Sequence, residues 1–435
     1  MEDSRTTQYG KVAKALGSIQ KQGQELSLPF VNNAELGFAP SKNTNKISFS
    51  LKGISGVGDS LARAIIAHRP YDSLAQFCAK MEELKNTEPD FKCGSSAIMM
   101  LIKAGCFDEL ETKPREEIMK DYLRMITPSR DTLTTRDILT LDNMGLLTPE
   151  QRRYEKQLYR FKTAICQSKN FAFASGKSTA THFFKVESAT ALDFFYSHFV
   201  NDLVENKDYQ YDNGGTLVVK KGSLEKIFDK LTASFKKNVL QNPRVIQQYN
   251  EYKLNEQLDA HAQGTLSRWE MESLCFYYHE HELAHVDKER YSLSNFADLP
   301  ETPVVIEYRK RGNRELPRFQ LNRICGTVLD KNKNKHLISV LTTDGVVDVK
   351  FYKGQYNFYD KQISEVNEDG SKSVLEKSWF TRGNKLLITG IRRGDQFAPR
   401  KYADSAYRHT VQLIKEVRDD GSIILQSERV GYGNE

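Results

Sequence analysis

The stretch "KGISGVGDSLARAI", residues 52–65, sets Gly53, Gly56 and Gly58 ahead of a helix-like run. Glycines in front of a helix let backbone amides approach something closely, and that something is often a phosphate. A Walker loop is excluded, because no Lys-Ser or Lys-Thr pair follows the last glycine. A dinucleotide fingerprint is excluded as well, since the glycine spacing is wrong and no repeating βαβ texture surrounds it. What fits is a helix-hairpin-helix: Ile54, then Gly56-Val57-Gly58, then Ala62 four residues later. There the glycines permit the turn, Val57 plugs it into the core, and the next helix's N-terminus grips a DNA phosphate without reading sequence. The candidate contacts are Lys52, Gly56, Val57, Gly58, Ser60 and Arg63. A Gly-rich helix-helix turn with no ligand is the other reading of the same spacing.

Around this stretch the chain has 435 residues, 39% of them hydrophobic and 28% charged, which suits an ordinary globular protein of several domains. No run reaches the roughly 18 apolar residues of a membrane span, so no membrane partner is expected. The polar opening "MEDSRTTQYG" has neither a signal nor a transit peptide pattern. Six scattered cysteines without a CxxC pair predict a reducing cytoplasm, without disulfides. A net charge of +6 permits a nucleic-acid partner without demanding one. Periodicity predicts helices over 9–24, 58–81 (broken at Pro70), 95–110 and 223–240, and a largely helical second half of 257–286. An alternating strand is predicted over 46–53.

From Arg323 to Leu425 short β-rich runs alternate with turns, the texture of a small barrel. Lys331, Lys333 and Lys335 would lie on an early turn, and Arg392, Arg393, Arg400 and Lys401 on a late loop. Phe351, Tyr352, Tyr356 and Phe358 are stacking candidates. Cations beside aromatic rings suit single strands, although half of such rings are normally core. "HELAH" (281–285) matches the zinc-protease HExxH, a remote alternative that lacks an obvious third ligand.

The segment "SFSLKGISGVGDSLARAIIAHRPYDSLAQFCAKM" with "LIKAGCFDEL" closely resembles the tandem helix-hairpin-helix region of bacterial DNA polymerase III alpha subunits, the C-family replicases. Upstream, "YGKVAKALGSIQKQGQELSLPFVNNAELGFAP" resembles the end of that family's fingers domain. Downstream, "MESLCFYYHEHELAHVDKERY" is similar to a family segment that takes in Phe276, Tyr277, His281 and Leu283. "ICGTVLDKNKNKHLISVLTTDGVVDVKFYKGQYNFYDKQI" resembles its OB domain. The order, hairpins before OB domain, is that of the DnaE type. Residues 130–265 show no such likeness, and Ser55 stands where the family usually has Lys.

The resemblance implies a multidomain α+β chain: an end-of-fingers segment (1–45), tandem helix-hairpin-helix (46–125), a mainly helical connecting region (126–320) and an OB-fold barrel (321–435). It implies duplex and single-stranded DNA as partners, and a cytoplasmic setting in a bacterium or a phage-infected host. No catalytic centre and no cofactor are expected on this chain. Palm, thumb and PHP domains, with the Mg, would belong to a catalytic partner chain of a split replicase. Val12, Leu16 and Ile19 would then face that partner. A sliding clamp would meet Gln157, Leu158 and Phe161 of "QLYRF", a weak relative of the family's clamp pentamer; "QLDAH" (257–261) is weaker still. A stand-alone single-strand or structure-specific DNA binder is the alternative.

Overall fold

The structure is a computed structural model that describes residues 9–40, 45–153, 168–169, 183–186, 188–367, 370, 372–404 and 406–431. The segment "QLYRF" lies outside the described residues. The chain divides into two compact units, Met1–Tyr122 with His261–Glu435, and Leu123–Ala260.

In the first unit the run 9–24 forms α1 (Tyr9–Lys21). Leu16 is buried, which corrects the expectation that it faces a partner chain, and Val12 and Ile19 are half-buried. Ala13 packs with Met271, Cys275, Tyr277, Leu329 and Leu341 of the same chain. Three short strands follow, β1 (Glu25–Ser27), β2 (Ala39–Pro40) and β3 (Lys46–Ser48), in the order β1-β3-β2. The strand expected over 46–53 ends at Ser48. Ser50 accepts the Gly53 amide at 2.9 Å and caps a 3-10 turn, Leu51–Gly53. A serine that can bond a nearby amide offers the backbone a turn in place of a ladder.

Helices α2 (Asp59–Ala67), α3 (Leu74–Thr87), α4 (Ser95–Lys103) and α5 (Arg115–Ile126) follow. Ile54, Val57, Leu61, Ala62, Ile65, Phe77, Ile98, Ile102 and Phe107 are buried among them. Pro70 separates α2 from α3 as the sequence predicts. The chain leaves α4 through Gly105 at φ 78°, where an added Cβ would stand 2.5 Å from Arg115 Nη2. That close approach lets Arg115 reach Asp108 at 2.6 Å and the Lys103 carbonyl at 3.0 Å.

The second unit contains α6 (Ile138–Asn143), β4 (Ser168–Lys169), β5 (Phe183–Val186), α7 (Ala189–His198), β6 (Tyr209–Tyr211), β7 (Leu217–Lys220), α8 (Lys221–Phe235) and α9 (Pro243–His261). Its antiparallel sheet runs β4-β5-β7-β6. Two cores fill it, one around Phe195, Phe199 and Val219 and one around Leu141, Phe235 and Tyr249.

Back in the first unit, α10 (Leu266–Leu274) ends at Cys275 in the left-handed conformation, φ 54°. Residues 275–286 then run through turns, so the second half of 257–286 is less helical than its periodicity predicts. A two-stranded ribbon follows, β8 (Val305–Arg311) with β9 (Arg314–Phe319). Then come β10 (Asn322–Asn332), β11 (Leu337–Thr342), β12 (Gly345–Lys350), α11 (Lys353–Asp360), the hairpin β13 (Ile363–Val366) and β14 (Lys372–Glu376), β15 (Lys385–Arg393), β16 (Gln396–Pro399), β17 (Val411–Val417) and β18 (Ile423–Gln426).

Five of these strands close on themselves in the order β10-β11-β12-β16-β15, with β15 returning to β10. Only the β12–β16 contact in this ring is parallel. This is the five-stranded barrel of an OB-type fold, and the chain is the multidomain α+β protein the sequence predicts. Ile324, Val340, Val349, Phe351, Tyr356, Phe380, Leu386, Ile388 and Phe397 fill its interior. β11 is buried almost throughout. Its inner face lines the barrel, and Leu341 on it packs against α1 and the segment after α10.

Candidate nucleic-acid interface

The hairpin is built on main chain. Gly56 takes φ 80°, a left-handed conformation that favours glycine, and the Val57 amide closes the turn on the Ile54 carbonyl at 3.1 Å. Val57 is buried and its amide is used within the turn, so it supports the hairpin and does not offer a phosphate contact, a correction to its place among the candidates. The Ser55 amide donates to the Ser273 carbonyl at 2.7 Å and fastens the turn to α10. Gly58 begins α2 without a side chain to cap it, so the first amides of the helix, at Asp59 and Ser60, meet no side-chain acceptor from the cap. Gly94 begins α4 in the same way, whereas Ser73 caps α3 by accepting from Gln76.

Beside this uncapped end Asp59 binds Arg63 Nε at 2.7 Å and Lys52 Nζ at 3.3 Å. Arg63 first and Lys52 second hold the Asp59 carboxyl below the usual carboxylate range. The structure therefore brings Lys52, Gly56, Gly58, Ser60 and Arg63 together at one exposed helix start, with an acidic residue that the sequence reading left out.

In the barrel the candidates separate. Phe351 is buried and rings with Tyr356 and Phe380 in the core, and Tyr356 is fully buried; neither can stack on a base. Phe358 is half-buried against the same core. Phe351 lies in the turn after β12 and Tyr356 on the side of α11 that meets the barrel, so both are drawn into its core. Arg392 is also removed from the surface set. Its guanidinium donates to the carbonyls of Phe296 (3.1 Å), Ala297 (3.2 Å) and Leu299 (2.6 Å), and lies over the Phe296 ring. Lys331 is paired with Asp360 at 2.6 Å. Lys333, Lys335 and Arg393 stay exposed.

Tyr352, by contrast, is 73% exposed. With Gly354, Gln355, Phe358, Pro399, Arg400, Lys401 and Thr410 it lines a shallow cleft of about 490 Å³. The turn bearing Lys333 and Lys335 adjoins it, since the Phe351 amide donates to the His336 carbonyl at 2.9 Å. The foot of the β8–β9 ribbon forms the neighbouring wall. Arg400 lies 5.2 Å over Phe319, Arg318 lies 4.9 Å over Tyr402, and the Phe319 amide donates to Tyr402 Oη at 2.8 Å. Gln355, Thr410 and Tyr402 were not singled out from the sequence. Their only signal was position on either side of strands whose closure was not yet known.

The HExxH reading fails on geometry. Residues 281–285 form turns, so the two histidines are not one helical turn apart on a helix face. His281 Nδ1 accepts the Leu283 amide at 3.0 Å and Nε2 faces the Leu341 carbonyl at 3.1 Å, which occupies both ring nitrogens. Burial lowers its pKa to about 4, keeping the ring neutral. His285 is exposed beside Glu280. Among the described residues no group of three or more His, Cys, Asp or Glu could hold a metal ion.

With the hairpin and barrel in view, comparison with known proteins agrees with the hairpin. The helix-hairpin-helix motif family matches residues 23–117. The chain is 36% identical over 427 residues to a probable DNA polymerase, YorL, of Bacillus subtilis (strain 168). It has the same identity over the same length to a DNA-directed DNA polymerase of Bacillus phage SPbeta. The chain is thus similar to DNA polymerases over 97% of its own length. It spans 31% of the length of these curated relatives. No described helix is long and apolar enough to cross a membrane.

Proposed function

We propose that this chain is the DNA-holding portion of a C-family replicase of the DnaE type, working in the cytoplasm of a bacterium or a phage-infected host. The hairpin holds duplex product by its backbone, and the barrel cleft holds template single strand by cations and an exposed ring. Nucleotide transfer, with its Mg²⁺, belongs to a palm carried with thumb and PHP domains on a catalytic partner chain. A sliding clamp engaged through residues 157–161 would be a further partner. The observation that carries this reading is the joining, in one unit, of a helix-hairpin-helix with an uncapped helix start and a closed OB-type barrel with a cationic, aromatic cleft. The likeness to proteins named DNA polymerases supports it.

Primer extension tests the division of labour, run with the chain alone, a co-purified catalytic chain alone, and both. Expected are no incorporation by the first, short products from the second and longer products from the mixture. Incorporation by the purified chain alone would overturn the proposal. Unchanged product length in the mixture would remove the role in processive synthesis.

A further inference from the structure

The barrel cleft contains one polar atom that the fold leaves unanswered. Gln355 Nε2 donates to Thr410 Oγ1 at 3.0 Å, and Thr410 Oγ1 shares a second hydrogen bond with Tyr359 Oη at 3.1 Å. Gln355 Oε1, shielded from solvent, has no donor. Buried acceptors are nearly always paired, so one left open in the lining of a cleft marks a place where a ligand supplies the hydrogen. The surroundings narrow the ligand. Tyr352 presents an exposed ring, Arg400 and Lys401 supply positive charge, and α11 starts at Tyr352 with no side-chain cap over its first amides.

A π face, one edge acceptor and an anion-favouring rim are the complements of a nucleotide. The geometry points to a single-nucleotide subsite: a base stacked on Tyr352, the Gln355 amide turned toward the cleft so that Oε1 accepts from the base's exocyclic amino group, and the phosphate toward Arg400, Lys401 and the start of α11. This rests on the reading that the barrel holds single-stranded DNA, and adds a preference to it. Bases with an amino group on the Watson–Crick edge, adenine, cytosine and guanine, bind better than thymine, which has none.

The test is fluorescence anisotropy on the full chain with oligo(dA) and with oligo(deoxynebularine), whose purine lacks only the amino group. The intact chain should favour oligo(dA) by about 3- to 10-fold, the worth of one neutral hydrogen bond. In Gln355→Met, similar in size but without the acceptor, the ratio should fall to about one. Tyr352→Ala removes a side chain that is mostly in solvent, and should weaken both oligonucleotides about 10-fold. Thermal melting checks that each variant folds, and Tyr352→Ala keeps the subsite testable if Gln355→Met does not. Binding with no preference for oligo(dA), a preference surviving in Gln355→Met, or full affinity in Tyr352→Ala would each overturn the subsite while leaving DNA binding intact. No binding of either oligonucleotide would overturn the subsite together with the single-strand role.

Discussion

In the proposed reading, the hairpin and the barrel cleft approach a nucleic acid with different parts of the chain. At the hairpin the surface on offer is main chain: Gly58 sets no side chain over the amides beginning α2, and Asp59 holds Lys52 and Arg63 alongside. At the barrel the surface on offer is side chain, and each side chain is claimed either by the fold or by the cleft. Phe351 and Tyr352 are neighbours in sequence, yet one is buried in the core and the other is 73% exposed. A contact made of amides depends on a local turn and tolerates variation around it. A contact made of side chains depends on which of them the turn between β12 and α11 gives to the barrel core.

The sharpest way to break this contrast lies in the barrel. Arg392→Glu places a carboxylate against the carbonyls of Phe296, Ala297 and Leu299. It should cost about 3–5 kcal/mol, as removing one side of a buried charged contact does, whereas exposed Arg393→Glu should stay within about 0.5 kcal/mol. Urea unfolding measures both. A stable Arg392→Glu with weakened single-strand binding would return Arg392 to the binding surface.

The next effect is acid sensitivity. The His281 pKa is lowered to about 4 in the fold, against an ordinary value near 6.5, so the unfolded chain binds the proton more readily. The stability this neutral ring contributes is full above about pH 6.5 and is lost as pH falls toward 4, with about 2 kcal/mol lost between pH 7 and pH 5. His281→Asn, whose Oδ1 can still accept the Leu283 amide, should remove that share of the pH dependence. An unchanged slope in the variant would show that His281 is not the titrating group.

The smallest effect tests the hairpin itself. An added Cβ at Gly58 meets nothing within 4 Å, and Asp is a favoured N-cap, so Gly58→Asp should fold normally. Its carboxylate would stand where a phosphate should sit and weaken duplex binding about 10-fold, uniformly across sequences. Full duplex affinity in the folded variant would take the hairpin out of the interface and leave it a packing turn.

Much of the hairpin was legible beforehand because glycine spacing and helix starts are local: Ile54, Gly56-Val57-Gly58 and Ala62 lie within nine residues. Much of the cleft was not. Tyr352 and Arg400 were identifiable as ring and cation, but Gln355 and Thr410 become a pair only where α11 meets the segment before β17. The misreading of 281–285 has the same origin, since a short motif carries no information about whether its residues lie on a helix.

By itself the sequence determined the helix-hairpin-helix, the β-rich character of the last hundred residues and the α+β class. Each of these rests on periodicity or turn chemistry acting over a few residues. Only the tertiary structure decided that Leu16 lies within the chain's own core, that Arg392 is a structural clasp, and that Tyr352, Gln355 and Arg400 share one cleft. Those outcomes depend on which side chains the β15–β10 closure turns inward and on what covers the barrel from outside. Competition for burial between residues far apart in the chain settles both.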